Sequence, residues 1–246
     1  MKARILKHIL HFKQPSGTSR GVLHDKPTWF IILENENSIG VGECSMLKGL
    51  SLDDRPDYEQ KLQWVCDNIY FGEQQLYADL VDFPSIQFGV ETAFRSLKNQ
   101  DPFQLFPSPF SKGQSSIPIN GLVWMGSKEF MRQQIVDKIE NGFDCIKLKI
   151  GAIDFETECL LLQSIRKNFS AAEIEIRVDA NGAFAPSEAL EKLKRLSDFN
   201  IHSIEQPIAV NQWDAMAGLC EQSPIDIALD EELIGVFSDS KRMKLL

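Results

Sequence analysis

Apolar runs in the first third of the chain alternate with short polar segments, a pattern that predicts antiparallel strands. These runs are rich in Ile, Leu, Phe and Trp, and they cover residues 4–13, 28–34 and 38–43. The polar residues 34–37 separate the last two runs and predict a hairpin. Segment 14–21 is dense in Gly, Ser and Pro, so we expect a mobile loop between the first two strands.

Two segments that follow have the apolar spacing of helices. They cover residues 57–70 and 86–99, and the second is expected to place four apolar residues on roughly one side: Phe88, Ala93, Phe94 and Leu97. Residues 101–116 contain three prolines together with Gly and Ser, which indicates a linker between two domains.

After the linker, short strand-like runs alternate with segments of helical length. The runs are 117–123, 144–150, 173–179, 201–205 and 225–230. The segments between them begin at residues that favour helix starts, namely Ser127, Asp154 and Pro186-Ser187. This alternation predicts βαβ units and a parallel sheet. We therefore expect an α/β protein with an α+β domain at residues 1–110 and a (β/α) domain at 117–246.

Composition narrows the class of protein. The net charge of −9 argues against a nucleic-acid partner, because phosphate binding requires a basic surface. No stretch approaches the roughly 18 uninterrupted apolar residues of a membrane span, and the first residues lack the pattern of a secretory signal. The five cysteines form no C-x-x-C pair and read as reduced thiols, so we expect a cytoplasmic protein.

Three successive predicted strands end in a carboxylate. Asp179, Glu205 and Asp230 follow one another at intervals of one βα unit. The carboxyl ends of parallel barrel strands lie on one face, so we expect the three side chains to converge within a few ångströms. Three carboxylates at such short distances repel one another unless a cation binds them. A set of ligands that are all oxygens favours Mg²⁺, with Mn²⁺ as the alternative. The competing interpretation is that each acid caps the helix after its strand.

A Lys-x-Lys pair lies on the strand before these acids. Side chains alternate along a strand, so Lys147 and Lys149 share one face while Ile146, Leu148 and Ile150 share the other. With the aliphatic face against helices, the lysines point inward, where a lysine needs a counter-charge or a task. Beside a second ammonium and a metal, the pKa of an inward lysine is expected to fall, which would make it a general base. The alternative is a solvated edge strand with two surface lysines.

These motifs together resemble those of the enolase superfamily, in its muconate-lactonizing-enzyme-like group. The matching motifs, in order, are Lys147-x-Lys149, Asp179-Ala-Asn-Gly, Glu205-Gln-Pro and Asp230-Glu231. Segments 15–21 and 118–123 resemble the o-succinylbenzoate synthases of that group. The resemblance implies a capping domain with a substrate-closing loop at 14–27, followed by a barrel. It also implies Mg²⁺-dependent syn-dehydration of 2-succinyl-6-hydroxy-2,4-cyclohexadiene-1-carboxylate to 2-succinylbenzoate in menaquinone biosynthesis.

The resemblance assigns a role to each matching residue. Lys149 would be the base that removes the α-proton and returns it to the leaving hydroxyl, and Lys147 would orient it. The implied metal ligands are Asp179, Glu205 and Asp230, and the residues that hold them are Asn181 and Glu231. Ser19 and Arg20 lie in the closing loop, where Arg20 would meet a substrate carboxylate; the competing interpretation is a solvated loop arginine.

One expectation concerns the extent of the barrel. A complete barrel has eight strands, whereas residues 117–246 hold about five βα units. The second catalytic lysine that the family places on strand six is expected beyond residue 246. Lys241 and Lys244 are not substitutes, because residues 238–246 read as the opening of a helix. We expect a low-activity fragment that self-associates through open sheet edges.

Three alternatives stay open at the level of sequence. The same acids and lysines serve N-acylamino-acid racemases, dipeptide epimerases and cycloisomerases of this group. The chain could instead be a non-catalytic remnant that kept a metal site, which Mg²⁺ would stabilise without any turnover. The third alternative is an unrelated (β/α) protein with coincidental acids.

Overall fold

The computed structural model describes residues 1–18 and 21–244. The chain divides into two compact units, Met1–Ile117 and Pro118–Leu246. Each unit has its own hydrophobic core.

The first unit contains an antiparallel sheet of three strands in the order β1-β2-β3. The strands are β1 Lys2–Thr18, β2 Gly21–Glu34 and β3 Ile39–Cys44. The expected loop at 14–27 is wrong within the described residues, because β1 and β2 continue through it as a strand pair. Ser16 pairs with Leu23 and Thr18 with Gly21, after a register irregularity that begins at His11. Backbone donors and acceptors pair across the two strands whatever the side chains, so a Gly- and Ser-rich composition does not exclude a ladder.

Three helices follow the sheet in this unit, namely α1 Tyr58–Asp67, α2 Glu73–Asp79 and α3 Pro84–Leu97. Helix α3 packs closely on β3, because a Cβ added at Gly42 would lie 1.8 Å from the carbonyl oxygen of Gly89. The expected apolar side of this helix is wrong for Phe88, which is 60% exposed. The buried side of α3 instead follows helical spacing from Ile86, and Phe88 is two residues further along, on the opposite side.

The second unit contains a parallel sheet in the order β4-β5-β6-β7-β8. The strands are β4 Gly121–Val123, β5 Cys145–Lys149, β6 Glu175–Asp179, β7 Ser203–Glu205 and β8 Asp226–Ala228. The helices are α4 Lys128–Glu140, α5 Phe155–Arg166, α6 Pro186–Ser197, α7 Trp213–Gln222 and α8 Asp239–Arg242. An antiparallel unit followed by five parallel strands with intervening helices confirms the predicted fold class.

Side-chain caps begin several of these helices at the predicted residues. Ser127, Asp154 and Ser238 each accept a hydrogen bond from the backbone N–H three residues later. Pro186 is in the first turn of α6, where it leaves no hydrogen bond unmade. None of the helices in the described part of the chain is long and apolar enough to cross a membrane.

The core of the second unit decides which way the lysines of β5 point. Ile146 and Leu148 are buried in the cluster that the helices α4, α5 and α6 complete. Because side chains alternate along a strand, Lys147 and Lys149 project from the opposite face of the sheet. Apolar packing of the helices therefore sets the direction of both ammonium groups.

Candidate active site

Strand register places three charged residues in one row across the sheet. Lys149 of β5 pairs with Asp179 of β6, and Asp179 pairs with Glu205 of β7. Paired residues of neighbouring parallel strands project from the same face, about 4.8 Å apart. Lys147 lies two residues before Lys149 and shares that face. The carboxyl ends of three strands thus bring two ammonium groups and two carboxylates together.

Asp179 is at the centre of this group and is fully buried. Its Oδ2 accepts a hydrogen bond of 2.5 Å from Lys149 Nζ and lies 3.2 Å from Lys147 Nζ. Its Oδ1 accepts a hydrogen bond of 3.1 Å from the backbone N–H of Asn181. Both carboxylate oxygens therefore have partners, as a buried charge requires.

Lys147 connects Asp179 to Glu205. Its Nζ donates to Glu205 Oε2 at 2.6 Å while it remains in contact with Asp179. Burial alone would lower the pKa of Lys147, but the hydrogen bond to Glu205 and the charges of both carboxylates outweigh it and raise the pKa. In the absence of a metal ion the pKa of Lys147 is thus raised, because two carboxylates face its ammonium group, and the expected fall beside a bound metal stays a prediction.

The two carboxyl groups of the row respond in opposite directions. Burial alone would raise the pKa of Asp179, but the hydrogen bond and charge of Lys149, together with the charge of Lys147, lower it. Burial raises the pKa of Glu205, and the neighbouring charge of Asp179 raises it further, while Lys147 offsets only part of both. Asp179 has both lysines as partners and Glu205 has one, which accounts for the difference.

Asn181 and Glu231 extend the contacts of Lys149. Lys149 Nζ donates to Asn181 Oδ1 at 3.0 Å, and Asn181 Nδ2 donates to Glu231 Oε1 at 2.9 Å. Asn181 has a left-handed backbone (φ 46°), which asparagine tolerates better than most residues. Lys149 is therefore held between the carboxylate of Asp179 and an amide that Glu231 orients.

Asp230 lies outside the row. In the register of β8 it is Ala228 that pairs with Glu205, so Asp230 follows two residues beyond the end of the strand. It is exposed, and its backbone N–H donates to Gln206 Oε1. Within residues 1–18 and 21–244, no group of three or more His, Cys, Asp or Glu side chains is close enough to hold a metal ion. The structure thus brings Asp179 and Glu205 together, as expected, but does not bring Asp230 to them.

Known proteins share both the sequence and the fold of this chain. Residues 131–243 match the family described as enolase C-terminal domain-like. The o-succinylbenzoate synthase of Desulfotalea psychrophila is 43% identical over 96% of this chain and 73% of that protein. The crystal structure of MenC from the same organism superposes with a TM-score of 0.84 at 38% identity, over 100% of this chain and 75% of that one. The chain belongs to the enolase superfamily. It is an enzyme similar to o-succinylbenzoate synthase, which is a lyase of that superfamily.

A further enolase superfamily structure shares the fold at lower identity. The o-succinylbenzoate synthase of Thermosynechococcus elongatus, solved with Mg in its active site, has a TM-score of 0.75 at 22% identity. The superposition includes 94% of this chain and 69% of that structure. Mg²⁺ is thus a ligand that this structural neighbour binds.

The donor atoms of the row fit a hard divalent cation. Asp179 and Glu205 offer carboxylate oxygens, which Mg²⁺ prefers. The raised pKa of Glu205 reflects in part the negative charge of Asp179 beside it, a repulsion that a cation would relieve. Glu231 Oε2 is buried without a hydrogen-bond partner, so the neighbourhood holds an unused oxygen donor.

Two buried polar residues near the row are absent from the sequence-based list of site residues. Gln206 and Glu232 both bind the backbone around the strand ends. Gln206 is part of the Glu-Gln-Pro motif, but no pattern distinguishes a buried glutamine from an exposed one. Ser19 and Arg20, which sequence assigns to substrate binding, lie outside the described residues.

Proposed function

We propose that this chain carries the o-succinylbenzoate synthase activity, the Mg²⁺-dependent dehydration of 2-succinyl-6-hydroxy-2,4-cyclohexadiene-1-carboxylate to 2-succinylbenzoate in menaquinone biosynthesis. The observation that carries the proposal is the 43% identity to the Desulfotalea psychrophila enzyme over 96% of this chain. The row of lysines and carboxylates at the strand ends supports it, because those groups suit proton removal next to a carboxylate.

Lys149 is the base in this proposal. As a neutral amine, Nζ takes the proton from the carbon that bears the substrate carboxylate, and the C–H bond breaks. Nζ then returns that proton to the departing hydroxyl, which leaves as water while the ring becomes aromatic. Contacts with Asp179 and Asn181 fix the position of Nζ, and a fixed position keeps the base at short range from the reacting carbon.

Lys147 has a complementary role, in which it remains a positively charged ammonium group. Its Nζ lies 2.6 Å from Glu205 Oε2 and 3.2 Å from Asp179 Oδ2, and two neighbouring carboxylates favour the charged form of a lysine. It holds the two carboxylates together and orients Lys149 through their shared partner Asp179. One lysine therefore keeps its proton while the other exchanges one.

The proposed metal ligands are Asp179 and Glu205, with Mn²⁺ as the alternative to Mg²⁺, and Asp230 would join them only after a movement of the loop that follows β8. The cation, when bound, offsets the negative charge that develops on the substrate carboxylate. Asn181 and Glu231 hold the base and its surroundings, since the side chains around a metal need partners of their own. Arg20, next to Ser19, is proposed to bind the succinyl carboxylate of the substrate through its guanidinium group.

The test is an absorbance assay of the purified chain with Mg²⁺ and the cyclohexadiene substrate, with a chelator-treated sample as control. Loss of substrate absorbance in the Mg²⁺ sample alone is the expected result. A parallel sample contains an L-Ala-L-Glu dipeptide and is followed by polarimetry. Epimerisation of the dipeptide with no dehydration would contradict the proposal in favour of an epimerase. Stabilisation by Mg²⁺ without turnover of either compound would contradict it in favour of a non-catalytic remnant.

A further inference from the structure

We propose that Gln206 is a positioning residue that sets the orientation of Lys149 through Glu231 and Asn181. The inference rests on the proposed function, in which Lys149 is the base. It adds a residue that touches neither the base nor the two carboxylates of the row in any described contact, and it explains how the loop after β8 is tied to the end of β5.

Every polar atom of the Gln206 side chain is used. The side chain is fully buried. Its Oε1 accepts hydrogen bonds of 3.2 Å from the backbone N–H groups of Asp230 and Glu232. Its Nε2 donates to the carbonyl oxygen of Ile208 at 3.0 Å. A buried amide with all partners satisfied rigidifies its surroundings, and here it joins the loops that follow β7 and β8.

The backbone of Gln206 is also fixed, in an unfavourable conformation. Its φ of 41° lies in the left-handed region, which is unfavourable for a residue with a Cβ. Its N–H donates to the carbonyl of Ala228 at 2.9 Å, and its carbonyl accepts from the N–H of Gly182 at 2.7 Å. Residues held in such strain concentrate at functional sites, where the surrounding structure maintains them. The side chain of Gln206 therefore projects from a rigid main chain.

The two amides that Gln206 binds belong to the residues on either side of Glu231. Fixing both amides fixes the main chain from which the Glu231 carboxylate projects. That carboxylate accepts from Asn181, whose oxygen in turn accepts from Lys149. The path from Gln206 to the base therefore has four short steps, namely three hydrogen bonds and the covalent link to Glu231.

A second anchor confines the same loop from its other side. Glu232 is buried, and its carboxylate accepts from the indole N–H of Trp213 at 2.5 Å and from the backbone N–H of Asn211 at 3.0 Å. Glu232 thus ties the loop to the start of α7, whereas Gln206 ties it to the row. Loss of Gln206 is then expected to reorient the loop without releasing it, which makes a positioning effect separable from unfolding.

The first experiment needs no catalysis. The side-chain amide resonance of Asn181 is followed by ¹H–¹⁵N NMR in the full chain, and Glu231→Ala gives the position of that amide without its acceptor. We expect Gln206→Met to shift the resonance toward the Glu231→Ala position. Arg166→Met is the matched control: Arg166 donates to the carbonyls of Ile174 and Phe199 at the opposite ends of the strands, so its loss is expected to leave the resonance in place.

The second experiment is a double-mutant cycle on kcat with the cyclohexadiene substrate. Gln206→Met is expected to lower kcat about tenfold at unchanged KM, the effect of losing the one hydrogen bond by which Asn181 positions Lys149. If Gln206 acts through Glu231, the double variant loses no more than Glu231→Ala alone. Independent structural effects would multiply instead, and that result would overturn the inference.

The two experiments keep the inference and the proposed function apart. A wild-type chain with no turnover refutes the proposed function, while the Asn181 resonance still decides whether Gln206 orients the path. An unmoved resonance in Gln206→Met, or an equal shift in Arg166→Met, overturns the inference. If Gln206→Met does not fold, Gln206→Asn replaces it, because its oxygen is one methylene short of the loop amides. We expect the same shift there, and its absence contradicts the inference.

Discussion

Replacement of Asp179 by Asn tests the electrostatics of the row directly. The substitution keeps the shape of the side chain and removes one buried negative charge. Lys149 then keeps Asn181 and Lys147 keeps Glu205 as acceptors, while position 179 offers at most a neutral amide oxygen in place of a carboxylate. Two ammonium groups remain in the site with less negative charge to balance them.

The size of the effect follows from how deeply the three groups are buried. Asp179 is fully buried, and the side chains of Lys147 and Lys149 are 21% and 19% exposed. Removing one partner of a buried ion pair costs about 3–5 kcal/mol. Each lysine keeps one other acceptor, so we expect the lower end, about 3 kcal/mol of lost stability for the second unit.

The pH dependence has a definite sign. The pKa of Asp179 is lowered in the fold because its lysine partners outweigh the effect of burial. The stabilisation is therefore present above the pKa of an unfolded aspartate, about 3.9, and is lost only as the pH falls through the lower folded value. The contribution of Asp179 to the difference between wild type and Asp179→Asn should therefore persist from pH 7 down to about pH 4.

The assay is hydrogen exchange at the amides of β6, which reports on the second unit separately from the first. A chelator in the buffer keeps divalent cations from adding their own stabilisation. Asp198→Asn is the control, because Asp198 pairs with Arg195 on the exposed surface, where a salt bridge contributes at most about 1 kcal/mol. An Asp179→Asn protein as stable as wild type, or a difference that vanishes by pH 5, would refute the reasoning.

Three further substitutions test other parts of the structure. Burial raises the pKa of Glu158, and the hydrogen bond from the Gly151 N–H offsets part of that rise. Wild type therefore loses stability as the pH rises through the raised pKa of Glu158 in the folded state. The free energy of unfolding of Glu158→Gln, measured in urea, should rise relative to that of wild type between pH 4 and pH 8. A difference that does not depend on pH contradicts this. Gly42→Ala has no room beside α3 and should cost the first unit about 3 kcal/mol in thermal unfolding; a neutral effect contradicts the packing. Gly218→Ala meets open space inside α7 and should stabilise by about 0.5–1 kcal/mol, whereas a loss of stability contradicts the open space.

Much of the second unit could be predicted because its signals are local. Alternating apolar positions identify β5, and capping residues such as Ser127 and Asp154 identify where helices begin. The charged residues of the row follow from strand ends spaced by one βα unit. Sequence therefore indicates which side chains reach the carboxyl end of the sheet.

The parts that sequence could not supply depend on register and burial. Asp230 leaves the row because β8 ends at Ala228, and no local pattern shows where a short strand stops pairing. Neighbouring strands impose the left-handed backbone of Gln206, so the conformational preferences of glutamine do not predict it. The exposure of Phe88 depends on which side of α3 meets the sheet, which is a tertiary choice.

A single-turnover measurement with Mg²⁺ and the cyclohexadiene substrate tests most directly whether Lys149 is the base. Lys149→Met is compared with wild type and with Lys194→Met, whose partner Glu191 and ammonium group are on the exposed surface. We expect Lys149→Met to lose at least about 100-fold in rate, the lower range for a positioned general base, while Lys194→Met matches wild type. A Lys149→Met protein that turns over substrate within tenfold of the wild-type rate would contradict the account.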